Sequence, residues 1–236
     1  FPTLLKHGLI GPGLKRSVLD WEEFLNFWPI NKLAFVGKLL ERLAVKQIVH
    51  HIRSNGLQDT FQSAYTSLHS TETALLRVHN DLCRHLDESK SCLLVLLHLS
   101  AAFDTVDLST LLSWLEHSFG ISGKALQWIK SYLTDRTSSV SVHGVESVRR
   151  LVKYGVPQGS VLGPVLFIMY MTPLRHILEK HQITYHIYAD DIQLYLPFDW
   201  NISGDHELAH QRLQLCIKEI NNWMAGNFLI INQNKI

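Results

Sequence analysis

The sequence has few cysteines and no long uninterrupted apolar run. Its three cysteines, Cys83, Cys92 and Cys216, are too far apart to indicate a disulfide framework or the close pairing typical of a zinc site. This usage favours a reducing, intracellular compartment and leaves the localisation otherwise open. The apolar run at residues 92–97 ends at His98, far short of the ~18 residues that a membrane-spanning helix needs. We therefore expect a soluble protein without a membrane partner.

The sequence also lacks a marked net charge. Lysine and arginine total 22 against 21 aspartates and glutamates, and the 14 histidines add positive charge only at mildly acidic pH. This balance gives no argument for a polyanionic partner, although a local basic groove is compatible with it. With 236 residues, of which 46% are hydrophobic, the chain can bury the core of one large domain or of two closely packed subdomains.

The periodicity of the apolar residues predicts a mixture of helices and strands. The first thirty or so residues are rich in glycine and proline, and we expect loops and short extended pieces there. Helices are predicted at 35–54, 71–86, 108–119, 123–133, 160–179 and 205–224, the second of them burying Ala74, Leu75, Val78 and Leu82. Strands are predicted at 91–97, 139–143, 147–154, 184–188, 192–196 and 228–231. The continuous apolar run at 91–97 predicts a central strand covered on both faces. This order suits an α+β domain with helices packed on an antiparallel sheet.

Two adjacent carboxylates, Asp190 and Asp191, lie between two of the predicted strands. The spacing predicts a hairpin with Tyr188, Ala189 and the two aspartates at its tip. Adjacent carboxylates repel each other, and burial beside a strand adds a desolvation cost, so a metal cation is a natural means of stabilising them. Because aspartate also suits exposed turns, a solvated turn is the alternative interpretation.

A glycine-rich loop with the sequence GVPQGSVLGP occupies residues 155–164 and leads into an apolar helix. Glycines permit a close approach of the backbone to a ligand, and the amides at a helix N-terminus attract a phosphate or a sugar hydroxyl. The loop is therefore a candidate nucleotide-binding segment. On its own, a purely structural turn is the alternative.

A third segment, HLSAAFDTVD at residues 98–107, begins where the apolar strand ends. In this order the three segments resemble the palm of reverse transcriptases of LINE-type, non-LTR retrotransposons. In that family an aspartate-ending strand, a GVPQGS loop and a YADD hairpin together form the polymerase site. Further matches lie at residues 29–30, 38–41, 61–63, 69–75, 132–136 and 223–224 and at Leu229 and Asn232, so the resemblance covers nearly the whole chain.

The resemblance implies a right-hand polymerase fold in a single reverse transcriptase domain that is truncated at both ends. The fingers would occupy residues 1–90, and the palm would occupy residues 91–236 with a fingers hairpin at about 138–154. The palm would contain the antiparallel sheet packed by helices, and the thumb would be missing. The implied reaction is RNA-templated addition of deoxynucleotides to a DNA primer with two magnesium ions.

The resemblance also implies roles for individual residues. Asp190 and Asp191 match the metal-binding carboxylate pair, and Tyr188 matches the residue that supports the primer end. The residues matched to the neighbourhood of the incoming deoxynucleotide triphosphate are Phe103, Gln158, Gly159, Ser160 and Lys235. Packing into the core is the alternative role of Phe103, because phenylalanine is commonly buried.

The most consequential departure from the family is His98, five residues before Phe103, where the family has its first metal-binding aspartate. His98 therefore completes the expected catalytic set with Asp190 and Asp191. Magnesium prefers hard oxygen ligands, whereas an imidazole offers one nitrogen and no negative charge. Outer-shell changes at metal sites already cost ~10 to 100-fold, and the loss of a ligand should cost more. We predict weak magnesium binding and weak or absent polymerase activity.

Two other interpretations of this position remain open. Asp104 or Asp107 could supply the missing carboxylate, although both are expected to cap the following helix. Alternatively, His98 could join the paired aspartates in a transition-metal site.

Two further departures concern nucleic-acid contacts. The family carries one arginine at the position of Trp28, within Asn26-Phe27-Trp28. It carries another at the position of Thr66, within Ala64-Tyr65-Thr66. Because phosphate contacts dominate nucleic-acid binding, their loss predicts weaker binding of template and triphosphate. A non-catalytic module that binds RNA or a protein on the polymerase scaffold is therefore the alternative function.

Overall fold

The computed structural model describes residues 1–232, which form seven α-helices and nine β-strands in an α+β arrangement. The helices are α1 (Phe35–Ser54), α2 (Thr71–Asp87), α3 (Leu108–His117), α4 (Gly123–Leu133), α5 (Gly163–Met171), α6 (Arg175–Lys180) and α7 (Asp205–Gly226). The strands are β1 (His7–Leu14), β2 (Phe27–Leu33), β3 (Ser91–Ser100), β4 (Arg136–Val142), β5 (Val145–Glu146), β6 (Arg150–Val152), β7 (Thr184–Tyr188), β8 (Asp191–Phe198) and β9 (Ile230–Ile231). No helix within this part of the chain is long and apolar enough to cross a membrane.

The chain divides into two compact units. The first comprises residues 1–55 and 107–166, and the second comprises residues 56–106 and those from 167 onward. Both units are discontinuous in sequence.

The sheet of the first unit is mixed, with the strand order β2-β1-β4-β5 and β6 paired to β4. Strand β1 pairs antiparallel with β2 and parallel with β4, so the expectation of a purely antiparallel sheet is wrong here. The first thirty residues contain loops, as expected, but their extended pieces are the eight-residue strand β1 and the start of β2. Gly8 and Gly13 leave room for the side chains of Asn31 and Ile30, with which a Cβ atom at either glycine would overlap. These glycines therefore support strand pairing.

The hairpin predicted between residues 139 and 154 is present, but its turn is tighter than expected. Val142 pairs with Val145, so only His143 and Gly144 form the turn. Both have positive φ, 49° and 82°, as the favoured two-residue hairpin turns require.

The helices of the first unit closely follow the predicted bounds. Helix α1 runs over the predicted residues 35–54, and α4 over the predicted residues 123–133. Gly120, with a φ of +65°, follows α3 as expected of a helix stop. The apolar side chains of α1 are less buried than their spacing suggests, since Phe35 is 71% and Leu43 63% exposed.

The sheet of the second unit is entirely antiparallel, with the order β7-β8-β3-β9. Strand β3 is therefore interior to the sheet, as predicted. The expectation that both of its faces are covered is wrong, because Leu94 and Leu96 are 46% and 54% exposed while Leu97 and Leu99 are buried. One face of this strand packs into the core, and the other is open along part of its length.

Helix α2 begins with a capping box. The side chain of Ser70 accepts a hydrogen bond from the Thr73 backbone N–H, and the Thr73 side chain binds the Ser70 backbone in return. Ala74 and Val78 are buried as predicted. Leu75 is instead 61% exposed, because it lies one position away from the buried stripe of the helix.

The single helix predicted at residues 160–179 is interrupted. It begins at Gly163 in α5, passes through a short 3₁₀ turn at Thr172–Leu174 and continues as α6 from Arg175. Pro173 explains the interruption, because proline lacks the N–H that an uninterrupted α-helix would use at this position. The remaining predicted helix and strands match α7, β7 and β8 to within two residues, whereas the last strand is limited to Ile230–Ile231.

Candidate active site

The paired aspartates lie at the tip of the β7–β8 hairpin. Tyr188 pairs with Asp191, so the turn consists of Ala189 and Asp190, and Asp191 is already the first residue of β8. Ala189 has a left-handed backbone with a φ of 57°, which is uncommon outside glycine and is often found at functional sites. Asp190 therefore lies on a tight, conformationally restricted turn, and Asp191 follows it directly at the start of β8.

His98 lies beside both carboxylates. It pairs with Asp191 in the β3–β8 register, and its Nδ1 atom is 2.8 Å from Asp191 Oδ1 and 3.5 Å from Asp190 Oδ2. The side chains of His98 and Asp190 are 26% and 28% exposed, whereas that of Asp191 is 57% exposed. The prediction that the end of strand β3 reaches the hairpin tip is confirmed.

Backbone hydrogen bonds fix the end of β3 on both sides of His98. The Leu99 N–H donates to the carbonyl of Asp190 over 3.3 Å, and the Asn232 N–H donates to the carbonyl of His98 over 2.8 Å. The position of the imidazole therefore follows from the sheet register and not from a mobile loop.

A short segment that sequence reasoning did not single out for a role supports the hairpin from its edge. Gln62 forms a parallel bridge with Ile187, and its side-chain Oε1 accepts hydrogen bonds from the N–H groups of Ala64 and Ala189 over 2.9 and 3.3 Å. Its amide thus holds the left-handed residue of the aspartate turn. The resemblance includes Gln62, but only the fold shows what it contacts.

Buried polar contacts extend this support. Ser63 Oγ lies 2.9 Å from His186 Nε2, and the Tyr185 hydroxyl donates to the carboxylate of Asp59 over 3.3 Å. Burial lowers the pKa of His186 to about 4, with a smaller contribution from the charge of Arg77. Burial also raises the pKa of Asp59. These groups attach the residues before α2 to strand β7.

Phe103 follows β3 and stacks on Phe167, with ring centroids 4.6 Å apart and an interplanar angle of 25°. Phe167 is fully buried, while Phe103 is half-buried. One face of Phe103 is thus part of the core, in keeping with the packing alternative. Its role beside a nucleotide remains a prediction.

The glycine-rich loop lies in the first unit, where several of its amides have partners within the chain. The buried carboxylate of Glu41 accepts hydrogen bonds from the N–H groups of Val161 and Leu162 over 2.6 and 3.1 Å. Ser160 Oγ accepts one from the Gly163 N–H over 2.9 Å. The N–H groups of Val161, Leu162 and Gly163 are thus engaged within the chain, which favours the structural alternative for this end of the loop.

The close approaches of the loop glycines are also internal. Gly159 has a φ of +73°, and a Cβ atom there would lie 2.7 Å from the carbonyl oxygen of Asn31. The Asn31 side chain donates to the carbonyl of Gln158 over 3.1 Å. These contacts support the structural interpretation of the loop. The predicted nucleotide-binding roles of Gln158, Gly159 and Ser160 remain predictions, and Lys235 lies outside the described residues.

The two positions of the missing family arginines have different surroundings. Trp28 is 59% exposed, and the Lys15 ammonium lies 4.7 Å from its ring centroid, so a cation is present beside this position. Thr66 donates through its hydroxyl to the Ala64 carbonyl over 3.3 Å.

The two aspartates considered as substitutes for the missing carboxylate follow Phe103. Asp107 caps α3, as predicted, by accepting a hydrogen bond from the Thr110 N–H over 2.8 Å. Its carboxylate is thereby engaged in helix capping.

The donor set at the hairpin tip does not fit a pair of magnesium ions. It provides two carboxylates and one imidazole nitrogen, and that nitrogen is hydrogen-bonded to Asp191. Magnesium requires oxygen ligands in near-octahedral geometry. Among residues 1–232, no group of three or more histidine, cysteine, aspartate or glutamate side chains is arranged to hold a metal ion.

Comparison with known proteins decides the family. The family model described as "Reverse transcriptase (RNA-dependent DNA polymerase)" matches residues 25–236, which is most of the chain. The chain belongs to the reverse transcriptase family. Its curated relatives place it in the reverse transcriptase family of non-LTR, LINE-type retrotransposons, as the sequence motifs predicted.

Three fruit-fly proteins illustrate the relationship. The chain is 30% identical over 174 residues to the probable RNA-directed DNA polymerase from transposon BS of Drosophila melanogaster, covering 72% of this chain and 19% of that protein. It is 32% identical over 178 residues to the X-element protein of the same species, covering 72% and 18%. The jockey polymerase of Drosophila funebris is 30% identical over 196 residues, covering 81% and 21%. The chain thus spans about a fifth of the length of these relatives.

Solved structures of telomerase share the fold of this reverse transcriptase domain. Telomerase from Candida tropicalis, in complex with a fragment of telomeric RNA, gives a TM-score of 0.71 at 12% identity and covers 98% of this chain and 40% of that one. Telomerase from Candida albicans gives 0.65 at 12% identity, covering 100% and 42%. At this identity the likeness concerns the fold alone.

Proposed function

We propose that this chain is the fingers and palm portion of a reverse transcriptase whose own template-directed DNA synthesis is weak or absent. In this assignment the sheet β7-β8-β3-β9 belongs to the palm, and the hairpin β4–β5 belongs to the fingers. Tyr188, Asp190 and Asp191 occupy the tip where the family's chemistry takes place.

The observation that carries the proposal is the position of His98. Its Nδ1 atom lies within 3.5 Å of carboxylate oxygens of both Asp190 and Asp191, at the strand end where the family has a metal-binding aspartate. An aspartate at this position would add an oxygen ligand and a negative charge. The imidazole adds neither, and it hydrogen-bonds one of the two remaining carboxylates.

RNA template, DNA primer and deoxynucleotide triphosphates are the partners we propose by membership of the family. The family match and the telomerase structures with bound RNA support an RNA template. The replaced arginines at positions 28 and 66 favour weaker binding of phosphates than in active relatives, while Lys15 retains one cation beside Trp28.

Primer extension on an RNA template with magnesium tests the proposal. We expect the unaltered chain to extend a primer no faster than its Asp190→Asn variant, which sets the background. We expect His98→Asp to exceed that background by at least about tenfold, because it restores a carboxylate ligand. His98→Asn, which adds no charge, serves as the matched control. Extension by the unaltered chain well above Asp190→Asn would refute the loss of activity.

A non-catalytic binding module is the second candidate function. It is favoured by an exposed apolar groove between α1 and α4 in the first unit, remote in sequence from the aspartate hairpin.

A further inference from the structure

The first two turns of α7 carry a pair of histidines that the proposed chemistry does not use. His206 and His210 are four residues apart on this helix of 22 residues. Among the 14 histidines of the chain they are the only two separated by three or four positions. Residues four apart lie one turn above each other on the same face of a helix, so the two imidazoles are neighbours.

Aromatic packing holds the first of the two rings. His206 stacks on Trp200 with ring centroids 4.6 Å apart and 19° between the planes, and Phe198 contacts it edge-on at 5.1 Å. Within residues 1–232, neither His206 nor His210 has a ring nitrogen in an ion pair or a hydrogen bond. The ring of His206 is therefore oriented by stacking, which leaves its nitrogens available to a ligand.

The distance between the two rings suits a shared metal ion. The imidazole centroids of His206 and His210 are 6.5 Å apart, with an angle of 27° between the planes. At a tetrahedral zinc ion with Zn–N bonds of about 2.0–2.1 Å, two imidazole centroids lie about 5 Å apart. His210 is exposed, so a rotation of its side chain can bring its ring the remaining distance.

The sequence between the two histidines points to the same ligand. Residues 206–210 read HELAH, which has the form H-E-x-x-H. On a helix this form binds zinc through both histidines, and in metalloproteases the glutamate is the general base. Catalytic zinc sites need a third protein ligand, and no group of three such side chains is arranged to hold a metal within residues 1–232. The motif therefore supports metal binding and not hydrolysis, and a solvated histidine pair is the alternative.

The charges around the pair offset an unfavourable helix dipole. A cation at the first turn of α7 meets the positive end of the helix macrodipole. This turn contains Asp205 and Glu207, on either side of His206. The carboxylate of Asp205 also accepts a hydrogen bond from the Asp199 N–H over 2.7 Å, which brings a third acidic residue close. These carboxylates make the local charge favourable to a dication.

We propose that His206 and His210 together bind one zinc ion, with water in its remaining coordination positions. Zinc is chosen because imidazole nitrogen is one of its preferred ligands. Strand β8 begins at Asp191 and ends at Phe198, so the pair lies one strand length, about 23 Å, from the aspartate turn. This site is thus separate from the polymerase site, and the bound ion would link the first two turns of α7.

Copper(II) is the first probe, because imidazoles bind it more tightly than zinc and because it quenches the fluorescence of a nearby indole. All measurements use a Cys83→Ser background, which removes the thiol that lies 3.7 Å from His79 Nδ1. Titration with copper should quench a part of the tryptophan fluorescence that Trp200→Phe lacks. Excess zinc, which does not quench, should reverse this part.

Variants test whether one ion is shared. Calorimetric titration with zinc should show one ion per chain, and His206→Gln and His210→Gln should each weaken its binding by at least about tenfold. His176→Gln, whose side chain is 67% exposed, is the matched control and should leave zinc binding unchanged. Combining His210→Gln with Gln211→His places the histidines five residues apart and should not restore binding.

Four outcomes would overturn the proposal. They are the absence of zinc binding, an equal loss of affinity in His176→Gln, full affinity with the histidines five apart, and unchanged affinity in both single variants. Half the stoichiometry at unchanged affinity in each single variant would also refute it, because each imidazole would then bind an ion by itself. Circular dichroism without metal checks that α7 is intact. His210→Gln keeps the test decisive if His206→Gln disturbs the Trp200 stack, because His210 is exposed.

Discussion

The Nδ1 atom of His98 lies 2.8 Å from Oδ1 of Asp191, across two strands that pair at these two residues. Strand register places the imidazole where the family has a carboxylate. The substitution therefore changes the ligands of the site but not the position of residue 98 in the fold. The imidazole also engages one of the two remaining acidic side chains. The expected defect is therefore local, and it should be reversible by a single substitution.

Restoring the carboxylate at position 98 should make the melting temperature of the chain depend on magnesium. In EDTA, His98→Asp should melt about 2 to 4 °C below the unaltered chain, because a third carboxylate is placed beside two others. Millimolar magnesium should reverse this loss, whereas the unaltered chain and His98→Asn should not respond. Differential scanning fluorimetry with and without magnesium measures the shifts. An equal magnesium response of the unaltered chain would contradict the poor fit of its donor set.

Gln62 should stabilise the aspartate turn. Gln62→Met keeps the size of this buried side chain but removes the acceptor for the N–H groups of Ala64 and Ala189. We expect the free energy of unfolding to fall by about 2 to 4 kcal/mol, because both donors lose their partner. Urea unfolding measures the loss, and amide hydrogen exchange should accelerate at Ala189. Gln58→Met, at an exposed position, is the matched control and should change stability little.

Glu41 should stabilise the glycine-rich loop. Glu41→Ala removes the buried carboxylate that binds the N–H groups of Val161 and Leu162, and we expect a loss of about 3 kcal/mol. The exposed Glu116→Ala is the control and should change the free energy of unfolding by less than about 0.5 kcal/mol. If the two variants lose similar amounts of the free energy of unfolding in urea, the stabilising role of Glu41 at the loop would be refuted.

Protonation of His186 should destabilise the fold in mild acid. Its pKa is lowered to about 4 by burial, against about 6.5 in the unfolded chain, so the unfolded state binds more protons between these values. The contribution of neutral His186 to the free energy of unfolding is fully present above pH 6.5. It is lost as the pH falls towards 4, by about 3 kcal/mol in total. Between pH 6.5 and 4, the free energy of unfolding of His186→Gln should depend less on pH than that of the unaltered chain, as measured by urea unfolding. The exposed His50→Gln should leave the profile unchanged.

Much of the local structure could be predicted from the sequence because local signals specify it. The bounds of α1, α4 and β7 follow directly from apolar spacing and from nearby turn residues. The hairpin between Ile187 and Ile192 follows from two β-rich runs around a short polar turn. Errors occurred where distant segments decide the outcome. Strand β1 contains three glycines and a proline, and it depends on its pairing with β4, more than a hundred residues away.

The sequence by itself determined the family, the order of the elements and the identity of the residue that departs from the metal-binding pattern. These depend on motifs and on periodicity, both of which are local properties of the chain. Only the tertiary structure showed that Gln62 holds the aspartate turn, that Glu41 occupies the loop amides and that α1 and α4 leave an apolar groove. Each of these joins segments far apart in sequence, and their side chains come together only when sheet register and helix packing are complete.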